Sequence, residues 1–194
     1  MRFLLVLIAV FTFINSQSQI YTAKTGSTLI TFHSDAPLEN IDATNKGAII
    51  VFKSSTAELQ VRVTIQNFQF KSSLMKEHFN ENYMETDAKV EVNGAATYPN
   101  RYAEFKGKIN EPLGAIKEGE NKVSLTGKMA MHGVIRDITI EGTLTKKGEE
   151  IYIASKFRIK VADYNIKVPS MYVKSIAEEV DVTISSVLEP LQKK

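Results

Sequence analysis

Apolar and polar residues alternate along most of this chain. Over residues 56–66, Leu59, Val61, Val63 and Ile65 fall on one face, and Glu58, Gln60, Arg62 and Thr64 on the other. A period of two is that of a half-buried strand. The same period gathers Val123, Leu125, Met129 and Met131 on one side of residues 122–131, with Gly127 in the middle of that face. It recurs with Ile151, Ile153, Phe157, Ile159 and Val161, and again with Val180, Val182 and Ile184. Further strands are predicted at 27–33, 46–53, 102–109 and 135–146, which makes about eight or nine in all. After Ile65 the phase slips, because the next apolar pair is Phe68 and Phe70. A bulge near Gln66-Asn67 is expected there, re-aiming the strand without ending it. Only residues 72–84 carry a helical period, with Ser72 or Ser73 as the cap and Leu74, Met75, His78, Phe79 and Met84 near one stripe.

Each long strand therefore has one apolar face and one wet face. A flat sheet would leave its apolar side bare, so it must close on itself or pair with a second sheet. Turn signals such as Pro112-Leu113-Gly114 and Lys147-Gly148-Glu149 give short, hairpin-like links. No helical crossovers support a parallel sheet. The expected fold is all-β, an up-and-down antiparallel barrel with one short helix.

Composition narrows the rest. Residues 1–18 start positive at Met1-Arg2, continue apolar from Phe3 to Ile14, and place Ser16 and Ser18 where a signal peptidase cuts, leaving residues 19–194 as the mature domain. The apolar run is too short for a spanning helix, so no transmembrane anchor is expected after cleavage, and a periplasmic or secreted location is. The sequence has no Cys, which removes disulfides, thiolate catalysis and Cys-ligated zinc. The core alone must hold the domain. A formal charge of +2, one unit lower without Arg2, is not a nucleic-acid surface.

The stretch "MHGVIRDITIEG", residues 131–142, breaks the alternation. Its simplest reading is a tight hairpin over His132-Gly133, with Gly133 supplying positive φ. That accounts for the glycine but not for His132 or Arg136. "HGVIR" after an alternating strand resembles the HGVTR-type segment of the YceI-like family. "LMKEHFNENYMET" is similar to that family's helix, "DYNIKVP" at 163–169 to its DYGI-type turn, and "ITFHSDAPLENIDATNKG" to its opening strands and loop. These segments follow the family's order and cover nearly the whole mature chain. The resemblance implies an extended, lipocalin-like eight-stranded barrel, exported, holding a long isoprenoid or similar lipid in its interior. One departure is the insertion "AKVEVNGAA", residues 88–96, which reads as a small extra hairpin able to alter ligand access if it sits at the barrel mouth.

The inward faces decide function, because a barrel of this size either fills with side chains or leaves room for one ligand. Gly127 and Ser155 are expected to leave free volume, and Met75, Met84, Met129 and Met131 to form an adaptable wall. The residues could equally pack on one another; the resemblance favours a cavity. Phe68, Phe70, Met75, Phe79, Phe105, Met129 and Phe157 are the lining candidates, chosen by strand phase and bulk. The expected partner is a hydrophobic small molecule: an isoprenoid quinone, a polyprenyl chain or a fatty chain. His132, Arg136 and Asp163 form a polar set near the turns. Arg136 either pairs with Asp137 or Asp163 to fix the hairpin, or meets an anionic head group. His33, His78 and His132 lack ligand spacing, so no metal is expected, nor any cofactor. Catalytic motifs are absent as well. Two rival readings remain: a barrel enzyme acting on a lipid, as hydrolase or isomerase, and a packed envelope-stress module with no ligand.

Overall fold

The computed structural model describes residues 19–35, 40–167 and 177–192; the expected leader, 1–18, lies outside them, as do the last two residues of the "DYNIKVP" segment. The strands are β1 (Ile20–Ala23), β2 (Leu29–Ser34), β3 (Ile41–Asn45), β4 (Ile49–Lys53), β5 (Glu58–Thr64) and β6 (Gln69–Phe70). After α1 (Ser73–His78) come β7 (Val90–Val92), β8 (Ala95–Thr97), β9 (Tyr102–Ile109), β10 (Gly119–Met131), β11 (Val134–Lys147), β12 (Glu150–Lys160) and β13 (Glu179–Pro190). Every pairing is antiparallel. The order β1-β4-β5-β9-β10-β11-β12-β13 returns to β1, closing a barrel of eight strands.

The strands outnumber the eight or nine expected because three staves are each broken in two and the hairpin β7–β8 stands apart from the barrel. Along the C-terminal strand, Leu188 pairs with β1 while Ile184 pairs with β2. Likewise β3 and β4 are halves of one stave, and so are β5 and β6. At Ile65–Asn67 the chain makes a 3-10 turn. It is not the expected bulge. The ladder with β9 ends at Thr64, and β6 crosses to pair with β3 instead. Predicted strands at 27–33 and 46–53 start late for the same reason: Ser27, Thr28 and Gly47 belong to breaks. Asn45, fully enclosed, holds one break by donating to the Thr64 carbonyl (2.9 Å) and accepting from Gly47 N–H (2.9 Å).

The gap left where β6 departs from β9 is filled by α1 and the π-helical turn after it, Phe79–Tyr83. Ser72 is the N-cap, accepting from Met75 N–H. Thr86, buried, takes a hydrogen bond from Gln66 and gives one to the Asn80 carbonyl, which ties this plug to the barrel wall. The inserted hairpin β7–β8 forms over Asn93-Gly94, both at positive φ, as that dipeptide favours. Its strands are wholly exposed and supply no cavity-lining residue.

Outward faces carry charges in register: Arg62 opposite Glu104, Lys128 opposite Asp137 and Arg158 opposite Asp181. Each such exposed pair adds little stability, on the order of 0–1 kcal/mol, but a one-residue slip would turn these charges into the bore.

Gly127 does not free space inside, as its position on the apolar face suggested. It stands opposite Gly107 between β9 and β10, and a Cβ there would collide with the backbone of Gly107 and Lys106. The missing side chain lets two strands approach. Gly127→Ala is therefore expected to cost about 1–3 kcal/mol, whereas Gly114→Ala, with open space around it, is near neutral. Thermal denaturation followed by circular dichroism compares the two.

Candidate functional site

The inward faces enclose one continuous cavity of about 580 Å³. Such a volume lies within the range of small-molecule sites. Alternation delivers its walls: Leu59, Val61, Val63 and Ile65 from one stave, Val123, Leu125, Met129 and Met131 from the next but one, and Ile153, Phe157 and Ile159 from β12. Phe52, Ile109, Leu144 and Leu188 are buried in the same wall, with Leu188 at 0 % exposure.

One end is built of rings. Phe79, at the start of the π-helical turn, stacks on Phe32 (5.4 Å between centroids) and touches Phe70 at 4.9 Å and Phe68 at 6.0 Å. Phe32 in turn meets Phe68 edge-on at 5.4 Å. Such contacts add about 0.5–1.5 kcal/mol per pair beyond burial, enough to seat a short helix that buries none of its own residues fully.

Phe68, Phe70, Met75, Phe79, Phe105, Met129 and Phe157 all stand on the cavity wall, as do Met84 and Met131. The strand phase and the helical stripe place them there. Phe32 and Tyr83 were missed, although Phe32 shares the inward phase of Ile30 in "LITF" and could have been found from it. Ser155 does line the cavity, but its hydroxyl donates to the Glu141 carbonyl.

Among the described residues no carboxylate, Lys or Arg lines the cavity. Its polar members are Ser34, Ser72, His78, Asn82, Tyr83, Thr143 and Ser155. Ser34 is already engaged, accepting from Ala177 N–H. Burial pushes the Tyr83 phenol far above its ordinary range, so it stays neutral. The wall therefore solvates hydrocarbon well, and among the described residues its titratable members are His78 and Tyr83.

His132, Arg136 and Asp163 come together outside that wall. His132 (φ 51°) and Gly133 (φ 73°) are both left-handed, giving the hairpin a type I′ turn. The glycine alone was assigned that role from sequence. His132 Nδ1 donates to the Tyr164 carbonyl (3.1 Å), and its Nε2 lies 3.5 Å from the Glu85 carboxylate. Arg136 Nε donates to the Asp163 carbonyl (2.9 Å), with the two side-chain charges 3.7 Å apart. Asp137 pairs with Lys128 instead. The three residues clasp the β10–β11 hairpin to the 3-10 turn Val161–Tyr164. His33 sits elsewhere, paired with Asp42 at 2.7 Å, and among the described residues no three metal-ligating side chains gather.

The family model described as YceI-like domain matches residues 15–188. Among curated proteins none matches this chain. Solved structures do. A polyisoprenoid binding domain from Saccharophagus degradans, implicated in plant cell wall breakdown, superposes with a TM-score of 0.72 at 14% identity, over 88% of this chain and 98% of that one. Burkholderia cenocepacia BcnA gives 0.66 at 18% identity, over 85% and 98%. The Campylobacter jejuni YCEI protein gives 0.58 at 15% identity, over 80% and 88%. At these identities the likeness is one of fold.

Phe79→Ala should unseat the plug without unfolding the barrel, since it removes the ring at the centre of the cluster. A loss of about 3 kcal/mol is expected, seen as hydrogen exchange speeding roughly a hundredfold over residues 73–86 and little in β10–β13.

Proposed function

The chain belongs to the YceI-like domain family, and from that premise we propose that it is an exported binding protein that holds a long isoprenoid or similar lipid inside its barrel. One observation carries this reading: a continuous cavity of about 580 Å³ whose wall, among the described residues, bears no carboxylate, Lys or Arg. A chain of methylene and isoprene groups gains about 0.8 kcal/mol per buried methylene when such a wall replaces water. The mechanism is solubilisation. Flexible Met75, Met84, Met129 and Met131 let the wall adapt to a chain of irregular outline.

The Saccharophagus degradans relative is described as polyisoprenoid binding, which supports an isoprenoid chain as the ligand. Export is supported by residues 1–18, with their positive start, apolar run and small residues before Gln19. The lining bears no carboxylate, Lys or Arg among the described residues, and its titratable members are His78 and the neutral Tyr83 phenol, which favours binding over lipid hydrolysis or isomerisation. A packed module without ligand is disfavoured by the cavity itself. The protein would then sequester or shuttle a hydrophobic molecule through an aqueous compartment.

Native mass spectrometry of the full-length product, followed by organic extraction, should yield a long-chain lipid bound one to one. Val182→Trp, which points a large ring from β13 into the bore, should weaken uptake of a long-chain quinone tenfold or more while the fold survives. Protein mass alone, with no extractable lipid and no uptake of added quinone, would overturn the reading.

A further inference from the structure

A closed barrel must let its ligand in, and the hydrogen-bond ladder shows where. The staves are interrupted at several places, and most interruptions are sealed. Between β13 and the β1–β2 stave, Lys24 N–H donates to the Val187 carbonyl and Ser27 Oγ accepts from Val187 N–H. Beyond the last β9–β10 pair, both Glu111 carboxylate oxygens accept from Ser124 N–H at 3.0 Å. Asn45 seals the break between β3 and β4. Where β6 leaves β9, the helical plug covers the gap.

The seam between β11 and β12 differs. Its ladder runs from Lys147↔Glu150 to Gly142↔Ser155 and stops. Beyond it Val134–Glu141 pairs with β10 alone and Lys156–Lys160 with β13 alone. Among the described residues the split is bridged only at its ends. At the foot the Ser155 hydroxyl donates to the Glu141 carbonyl. At the head Arg136 and His132 reach the carbonyls of Asp163 and Tyr164. What remains is a window in the barrel wall, about 20 Å long at roughly 3.3 Å per residue from Gly142 to Arg136.

The cavity reaches this window. Thr143 and Ala154 face outward by strand phase, yet both line the inner cavity together with Gly142 and Ser155. The same four residues line a shallow groove on the outer surface, whose rim carries Lys122, Glu141, Lys156 and Thr183. Thr143 and Ala154 still pair in the ladder, one step below its end, so the cavity and the outer groove approach each other at the foot of the split.

We infer that the window between β11 and β12 is the lateral portal through which an apolar chain enters and leaves the barrel. This rests on the binding reading above and adds the route. A chain slides in side-on between two strands whose facing edges share no ladder, so uptake breaks no backbone pairing. The Arg136 and His132 clasp sets the head of the window, and the outer groove gives the emerging end a polar rim.

The chain has no Cys, so an introduced pair is unique. Thr139 and Arg158 face outward across the middle of the window, and neither lines the cavity. In T139C/R158C, bridged by a short bis-methanethiosulfonate linker, loading of an anthraniloyl-labelled geranylgeraniol from phosphatidylcholine vesicles should slow at least tenfold. Its release should slow equally, its affinity should hold, and reduction of the linker should restore both rates. The control Q66C/D87C pins the plug where those side chains touch at 3.1 Å, and should leave the rates unchanged. Rates that ignore the window bridge, or that fall only when the plug is pinned, overturn the portal and leave the binding reading intact. No uptake by the unmodified protein overturns both.

Discussion

The structure depends on closure of the hydrogen-bond ladder around eight staves. Each stave has one face that water wets and one that it does not, and each has two edges of unpaired N–H and C=O groups until a neighbour takes them. Joining β1 to both β4 and β13 satisfies the last edges and turns all apolar faces inward in one step. Once that ring is made, the register is fixed, because a slip would bring Arg62, Lys128 or Arg158 into the bore. The hollow follows from the number of staves, since eight leave a bore wide enough for a ligand unless large side chains fill it.

Closure is not uniform, and its irregularities are where function is built. The three broken staves let the barrel lengthen and bend without losing backbone hydrogen bonds, because Asn45, Ser27 and neighbouring backbone groups take over from the ladder. Where β6 turns away from β9, the opening is roofed by Phe79 and its ring of aromatic neighbours. Where β11 and β12 separate, no backbone pairing spans the split between its two ends among the described residues. The plug is held by side-chain contacts in place of a backbone ladder, and such a region lies at the low end of local stability.

Legibility from sequence divides along the same line. Residues whose position follows from phase alone were placed: the alternating apolar sets on β5, β10, β12 and β13, and the lining candidates from Phe68 to Phe157, while of the two cap candidates Ser72 and Ser73 the structure takes Ser72. The 102–109 strand falls at Tyr102–Ile109 as predicted. Misreadings cluster at interruptions. The slip after Ile65 read as a bulge, but β3 offered β6 a better edge than β9 did, and a one-dimensional pattern does not show competing edges. Gly127 read as free volume because a missing side chain looks the same whether a ligand or a neighbouring backbone takes the space. Arg136 had two candidate carboxylates in sequence, and the fold paired it with the distant one.

The sequence by itself determined that this chain makes antiparallel strands with one greasy face each, that this face must be covered by closure or by a second sheet, and which side chains of the long strands face inward. Those outcomes rest on a period of two and on the cost of leaving apolar surface in water, both local or additive along the chain. Tertiary structure alone decided that the bore stays open, that three staves break, and that the β11–β12 ladder stops at Gly142↔Ser155. Each of these depends on how two segments far apart in sequence compete for the same edge or the same volume, and no single strand carries that information.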